Sequence, residues 1–320
     1  MNHDLVEFSR RQIEVGSRSF NFASTFFSKR ERAGAWLLYS WCRHCDDQID
    51  QAANPREALL RLGSLEENTR RAFFSGTPLQ DPQFEGLRLI LHAFGIPLKY
   101  PLDLLRGMRM DVEGHVYREL EELDDYCYCV AGVVGLMMCH IMGVSSEKAL
   151  PHAVAMGSAM QLTNIARDVK DDFDLGRIYF PRRWLEEVHL SPSEFGQPAN
   201  RKQWSVLAQR LLRVADDRYR KGRQGLSYLS WRGALACSVA ASVYRQIGRK
   251  VLAAGPTAWD ERQYVGTGEK ILLALREGIR LSFRLAVRLL KPWRAVRINE
   301  TWFGDRIPAP PRQSPQQPSI

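Results

Sequence analysis

Apolar residues recur at helical spacing along nearly the whole chain, and that pattern restricts it to one class of fold. Helix-period stretches run from Leu5 to Ser19, Lys29 to Ile49, Pro55 to Phe74, Pro82 to Phe94 and Pro101 to Met110. They continue from Leu123 to Met142, Glu147 to Phe173, Arg201 to Ser227, Trp231 to Ala253 and Lys270 to Val296. Gly76-Thr77-Pro78, Gly95-Ile96-Pro97, Gly143-Val144-Ser145, Gly196-Gln197-Pro198 and Gly255-Pro256 punctuate the run as turns. No alternating run is closed by a hairpin turn, and no strand-helix-strand rhythm is present. The sequence therefore predicts an all-α, single-domain helical bundle. Its 320 residues, 45% of them hydrophobic, suffice for a deep core. The domain is expected over 1–305, whereas 306–320, with five prolines among glutamines and serines, reads as a disordered tail.

Several function classes fall away on composition. No stretch approaches the roughly 18 to 20 uninterrupted apolar residues of a membrane span, and the polar Met1–Arg11 lacks a signal-peptide core, so a cytoplasmic protein is expected. Six cysteines in so long a chain make no disulfide framework, and Cys42-x-x-Cys45 has no second metal-spaced pair. A net charge of +9 suits nucleic acid, anionic lipid or an anionic small substrate. No nucleic-acid-binding module is present, and the basic residues share helices with long apolar runs, which argues against nucleic acid. Arg276, Arg280, Arg284 and Arg288 recur every four residues with Leu281, Leu285 and Leu289 between them. That stripe is either the solvated face of a core helix or a peripheral contact with the inner face of a membrane.

Two acidic segments, Asp46-Asp47-Gln48-Ile49-Asp50 and Asp168-Val169-Lys170-Asp171-Asp172, stand inside these helical stretches. In each, two carboxylates lie four residues apart, one helical turn, where like charges repel by a few tenths of a kcal/mol. Arg43 shares the face of Asp46 and is placed to grip a phosphate. Gln161, Asn164, Asp168, Asp171 and Asp172 form an oxygen-rich stripe on one face of an otherwise apolar helix. Either segment alone reads as a solvated face. Two of them, next to the apolar runs Ala33–Leu38 and Ala153–Met160, point instead to Mg²⁺ or Mn²⁺ shared with a diphosphate. Such an ion neutralises the charge on a departing diphosphate while its carbon becomes a cation. Phe20, Phe22, Phe26, Trp36 and Tyr39 are candidates both for a cation-stabilising wall and for ordinary core packing.

These residues resemble those of the head-to-head trans-isoprenyl diphosphate synthases, the squalene and phytoene synthases. One family motif is similar to Tyr39-x-x-Cys42-Arg43-x-x-Asp46-Asp47-x-x-Asp50, and a second to Gln161-Leu162-x-Asn164-x-x-Arg167-Asp168-x-x-Asp171-Asp172, continuing to Gly176-Arg177-Ile178-Tyr179-Phe180-Pro181. Further matches are Gly16-Ser17-Arg18-Ser19-Phe20, Met110-Asp111-Val112-Glu113-Gly114 and Tyr126-Cys127-Tyr128-Cys129-Val130-Ala131-Gly132-Val133-Val134-Gly135. The likeness covers about residues 8 to 290 and is strongest to bacterial phytoene synthases of carotenoid biosynthesis.

The resemblance implies an isoprenoid synthase fold around a central cavity. The reaction it implies joins two geranylgeranyl diphosphates through prephytoene diphosphate to phytoene, with loss of both diphosphates. By the same likeness Asp46, Asp50, Asn164, Asp168 and Asp172 would bind Mg²⁺ or Mn²⁺. Tyr126 and Arg167 would join the four aspartates in catalysis, while Ser17, Ser19, Phe20, Arg43, Gln161, Asn164 and Tyr244 would bind substrate. Relatives carry a basic residue soon after a pair that reads Tyr264-Val265 here, followed by Gly266, Thr267 and Gly268. Arg262 is left as a phosphate contact or a plain surface arginine. Ala131, Gly132 and Gly135 offer either a bare wall for prenyl tails or close helix packing, and the small Ser24 is expected to keep a tunnel open. NADPH is not expected, and downstream carotenoid enzymes are the expected partners. The alternatives are a squalene or dehydrosqualene synthase using farnesyl diphosphate, a terpene cyclase, and a helical scaffold at a membrane surface.

Overall fold

The protein is described by a computed structural model covering residues 3–290. The helices are α1 (His3–Gly16), α2 (Arg18–Ser24), α3 (Lys29–Asp50), α4 (Pro55–Phe74), α5 (Pro82–Phe94), α6 (Lys99–Val112) and α7 (Leu120–Cys127). After them come α8 (Val133–Ile141), α9 (Leu150–Arg167), α10 (Val169–Asp174), α11 (Arg182–Glu187), α12 (Arg201–Gln224), α13 (Trp231–Ala254) and α14 (Thr267–Leu290). No strand occurs among the described residues. Residues Met1–Leu281 form one compact unit and Ser282–Ile320 group separately. The Pro-rich 306–320, the end of the helix expected to reach Val296, and the side chains of Arg284, Leu285, Arg288 and Leu289 lie outside what is described.

Local chemistry sets the helix ends. Ser28 and Glu31 form a reciprocal capping box at the start of α3, the Ser28 hydroxyl accepting from the Glu31 N–H at 3.3 Å and Glu31 from the Ser28 N–H at 2.8 Å. Asn54 before Pro55 and Asp81 before Pro82 start α4 and α5, and left-handed Gly95 ends α5.

Three expected helices are subdivided, each at a place that bears on the site. The first stops at Gly16 because Ser17 leaves helical geometry (φ −148°) to cap α2, accepting from the Phe20 N–H at 3.3 Å. The stretch Leu123–Met142 is interrupted by a π-turn at Tyr128–Gly132, a feature that often marks functional segments. The stretch Glu147–Phe173 begins as a 3₁₀ turn and bends at Asp168 (φ −102°, ψ 20°). Bonds of 2.8 Å from the Asp168 N–H to the Asn164 carbonyl, and from the Asp172 N–H to the Asp168 carbonyl, carry the register across the bend. α2 and α11 are too short, at 7 and 6 residues, to show a full apolar period.

Within the first unit α9 is central, packed along α12 and against α13, α8 and the π-turn. Its approach needs missing side chains: a Cβ on Gly157 would fall 2.3 Å from the Ala131 carbonyl oxygen, and one on Gly135 2.7 Å from that of Ala153. One apolar core gathers around Trp204, Phe195 and Leu162, another around Trp41, Leu105 and Met137.

Candidate active site

α3, α8, α9, α12 and α13 enclose a cavity of about 330 Å³. Along α9 its lining extends from His152 to Asn164, which at 1.5 Å per residue is roughly 18 Å. Met138, Met156, Val134, Leu38, Phe27 and Ala240 make most of the wall apolar. Tyr39 and Cys42 in α3, Gln161 and Asn164 late in α9, Ser17 and Tyr244 supply polar groups toward one end, and His152 supplies one at the other end of the α9 lining. Asp46 lies one turn beyond Cys42, and Asp168 one turn beyond Asn164. Both acidic segments thus follow directly, on their own helices, from residues that line the cavity.

Arginines engage some of these carboxylates and leave others. Arg167 grips Asp168 in a fork of 2.7 and 2.5 Å, and Arg262 adds a bond of 3.1 Å to the same carboxylate. Arg43 pairs with Asp47 at 2.7 Å. Arg177 bonds Asp50 at 2.8 Å, tying the segment after the second acidic cluster to the first.

Asp111 on α6 links the two clusters further. Tyr126 and Tyr179 each donate to it at 2.9 Å, their hydroxyls 3.0 Å apart and their rings stacked at 4.9 Å. Burial, with Asp50 nearby, pushes the Asp111 carboxyl up to about 6 against the pull of Arg177 and the two tyrosines. Solvent reaches Asp46, yet protein encloses the recess around it. That desolvation, aided by Asp50 and Asp111, raises its carboxyl to about 7. Burial, Asp168 and Asp111 raise Asp172 to about 8. Asp111 therefore acts electrostatically on both clusters, and the site is an acidic centre short of positive charge. Beside it the Asn164 side-chain oxygen is buried without a partner, while its nitrogen donates to Gln161 at 3.4 Å. No three His, Cys, Asp or Glu side chains among the described residues are gathered closely enough to hold an ion by themselves.

A model of the squalene/phytoene synthase family matches residues 13–269. The chain belongs to the squalene/phytoene synthase family. It is 41% identical, over 91% of its length and 97% of the relative's, to a 15-cis-phytoene synthase of Pantoea ananas. It is 42% identical to a phytoene synthase of Pseudescherichia vulneris, covering 85% of this chain and 90% of that one. Among solved structures it is similar to a dehydrosqualene synthase in complex with ligand, with a TM-score of 0.77 and 26% identity over 88% of this chain and 97% of that one. A squalene synthase from Alicyclobacillus acidocaldarius gives 0.69 and 27% over 79% and 95%. The isoprenoid synthase fold expected from the sequence is the fold observed.

Set in this squalene/phytoene synthase scaffold, the singled-out residues separate into groups. Ser17, Phe20, Gln161, Asn164 and Tyr244 line the cavity, and Phe20 stacks on Tyr39 with ring centres 6.1 Å apart. Ser19 is half-buried and outside the lining, and Tyr126 is buried in the trio with Asp111 and Tyr179. Arg43 lies beside Asp47 and Arg262 beside Asp168. Ala131 and Gly135 line the cavity and Gly132 does not, so wall and close packing coexist on one helix.

Ser24 corrects an expectation. It is fully buried, accepts from the Trp36 indole N–H at 3.0 Å and donates to the Asn21 carbonyl at 2.7 Å, away from the cavity. Phe22 and Phe26 pack against a separate cluster around Val239 and Val243. Asp111, Arg177 and Tyr179 were not singled out from the sequence. Their signal lay in the strings Met110–Gly114 and Gly176–Pro181, where a carboxylate, an arginine and a tyrosine each fall within three residues of a glycine.

Proposed function

We propose that the chain is a phytoene synthase of carotenoid biosynthesis, acting on two molecules of geranylgeranyl diphosphate. Identity of 41% to a 15-cis-phytoene synthase across nearly both whole chains carries the choice of product. The cavity supports the chemistry: a long apolar pocket suits prenyl tails, and polar groups with acidic clusters at one end suit diphosphates.

The donors at that end fit a hard divalent ion, Mg²⁺ or Mn²⁺. They are carboxylates that burial, and after it the neighbouring carboxylates, raise to about 7 at Asp46 and about 8 at Asp172, together with an orphaned amide oxygen. Asp46, Asp50, Asn164, Asp168 and Asp172 would hold such ions together with water and phosphate oxygens. Bound there, they would neutralise the charge leaving with each diphosphate.

The protein's own residues do the rest. Arg43, Arg167 and Arg262 stand beside the carboxylates, able to turn toward phosphate when a cation replaces them there. Ser17, Gln161 and Tyr244 orient the diphosphate end, and the Phe20 and Tyr39 rings face the developing allylic cation. Methionine and aliphatic walls exclude water that would quench it. One diphosphate and one proton leave as the two chains join in a cyclopropyl intermediate, the second diphosphate leaves on rearrangement, and loss of a second proton gives the hydrocarbon. No hydride enters that balance, so NADPH is not required. Tyr126 and Tyr179, both held well above the usual phenol range by burial and by Asp111, stay protonated and position Asp111.

The product is an oil. Action on the cytoplasmic side, with peripheral membrane contact and transfer to downstream carotenoid enzymes, completes the reading. Among the described residues no helix is long and apolar enough to cross a membrane. Product analysis tests the proposal. Supplied separately with fifteen- and twenty-carbon prenyl diphosphates and a divalent ion, the protein should yield forty-carbon phytoene from the latter, unchanged by NADPH. A thirty-carbon product formed in preference, with NADPH converting it to squalene, would replace this reading with the squalene synthase alternative.

A further inference from the structure

We propose that the outward face of α14 docks on an anionic lipid surface. The inference adds a location to the peripheral contact in the proposed function. Large apolar side chains at a surface are ordinary when scattered singly and call for explanation when they form a row. On α14, Ile271, Leu272, Leu275 and Ile279 are 48%, 67%, 61% and 72% exposed and fall on one side of the helix. The sequence repeats their spacing at Phe283.

The opposite side of this helix is charged and buried. Glu277, 1% exposed, accepts from Arg223 of α12 at 3.0 and 3.3 Å and from the Ser242 hydroxyl of α13 at 2.7 Å. Leu273 packs beside it into the apolar cluster of α13. A surface helix ordinarily turns its apolar stripe inward and its charges outward. Here the ion pair fixes the rotation, so among the described residues nothing covers the apolar row. Release of the row into the protein would require breaking a buried carboxylate from its arginine.

Charge selects the occupant. Arg276 and Arg280 reach to 3.6 and 4.0 Å of Glu277, which Arg223 already engages, so three guanidinium groups surround one carboxylate. Glu269, an acid earlier in the helix, is taken by Lys250 and Gln246. Residues 271–299 carry seven basic side chains and one acidic one, the buried Glu277. A leucine and isoleucine row flanked by arginines matches acyl chains beneath phosphate headgroups, and suits neither neutral lipid nor a basic protein. A second copy of the chain would oppose like charges.

The full-length protein should float with phosphatidylcholine vesicles containing phosphatidylglycerol at low salt, bind vesicles of phosphatidylcholine alone far less, and be released as salt is added. Leu275→Asn with Ile279→Asn should lower vesicle partitioning by about tenfold or more. Arg276→Gln with Arg280→Gln should remove the preference for anionic lipid. Both variants should keep wild-type helicity, melting and turnover of detergent-dispersed substrate, which separates lost docking from lost folding. Unchanged partitioning of the double-asparagine variant would overturn the proposal, as would a dimer in sedimentation that the same substitutions dissociate. Flotation needs no turnover, so its outcome is independent of the product analysis.

Discussion

Asp46→Ala and Asp168→Ala should each leave less than about one per cent of wild-type turnover, the scale of loss when one electrostatic stabiliser of a transition state is removed. The two should fail differently. Among the described residues no arginine bonds Asp46, which is already raised to about 7, so alanine removes an ion-holding oxygen and relieves repulsion, leaving the fold intact or steadier. Asp168 is the shared acceptor of Arg167 and Arg262, so alanine also strands a nearly buried guanidinium. That variant should melt lower, and Asp168→Asn, which keeps an acceptor, should recover the melting temperature and not the turnover. Steady-state kinetics and thermal melting read both. Wild-type turnover by both alanine variants would refute the role given to the clusters.

Stabilisation by Mg²⁺ should be larger at about pH 9 than at about pH 6. Asp46, Asp111 and Asp172 have folded pKa values near 7, 6 and 8 against ordinary values of 3.8. Between those limits the folded protein binds more protons than the unfolded chain. The stability these carboxyls contribute is therefore complete below about pH 4 and is lost as pH rises through 6 to 8. In chelator the melting temperature should fall over that window, and Asp172→Asn should flatten the fall. A divalent ion binds the deprotonated form, so it competes with protons at low pH and offsets repulsion at high pH. At a hundred times its dissociation constant it contributes about 2.7 kcal/mol. Melting curves with Mg²⁺ or chelator across the window measure this, and an equal shift at both ends would contradict it.

Helix positions were legible because amphipathic periodicity and end signals are local. Asn54-Pro55 and Asp81-Pro82 mark starts that the chain adopts, and α4 and α5 match their predicted spans. The bend at Asp168 and the π-turn at Tyr128–Gly132 were not legible, because both answer to packing across α9 and not to the residues alone. The site divides in the same way. Asp46, Asp50, Asp168 and Asp172 announce themselves by spacing within one helix. Asp111, Arg177 and Tyr179 join them only through contacts spanning up to 127 residues, which no local pattern encodes. Ser24 shows the limit for small residues: in sequence it resembles space, and in the fold it is a hydrogen-bonding partner of Trp36.

The central claim, that one site served by two acidic clusters removes both diphosphates of a head-to-head condensation, is open to a direct stoichiometric measurement. Purified protein with geranylgeranyl diphosphate and Mg²⁺, without NADPH, should release two diphosphates for each phytoene formed. One diphosphate per coupling, with a product that keeps its diphosphate, would make the chain a different kind of prenyl transferase and contradict the account.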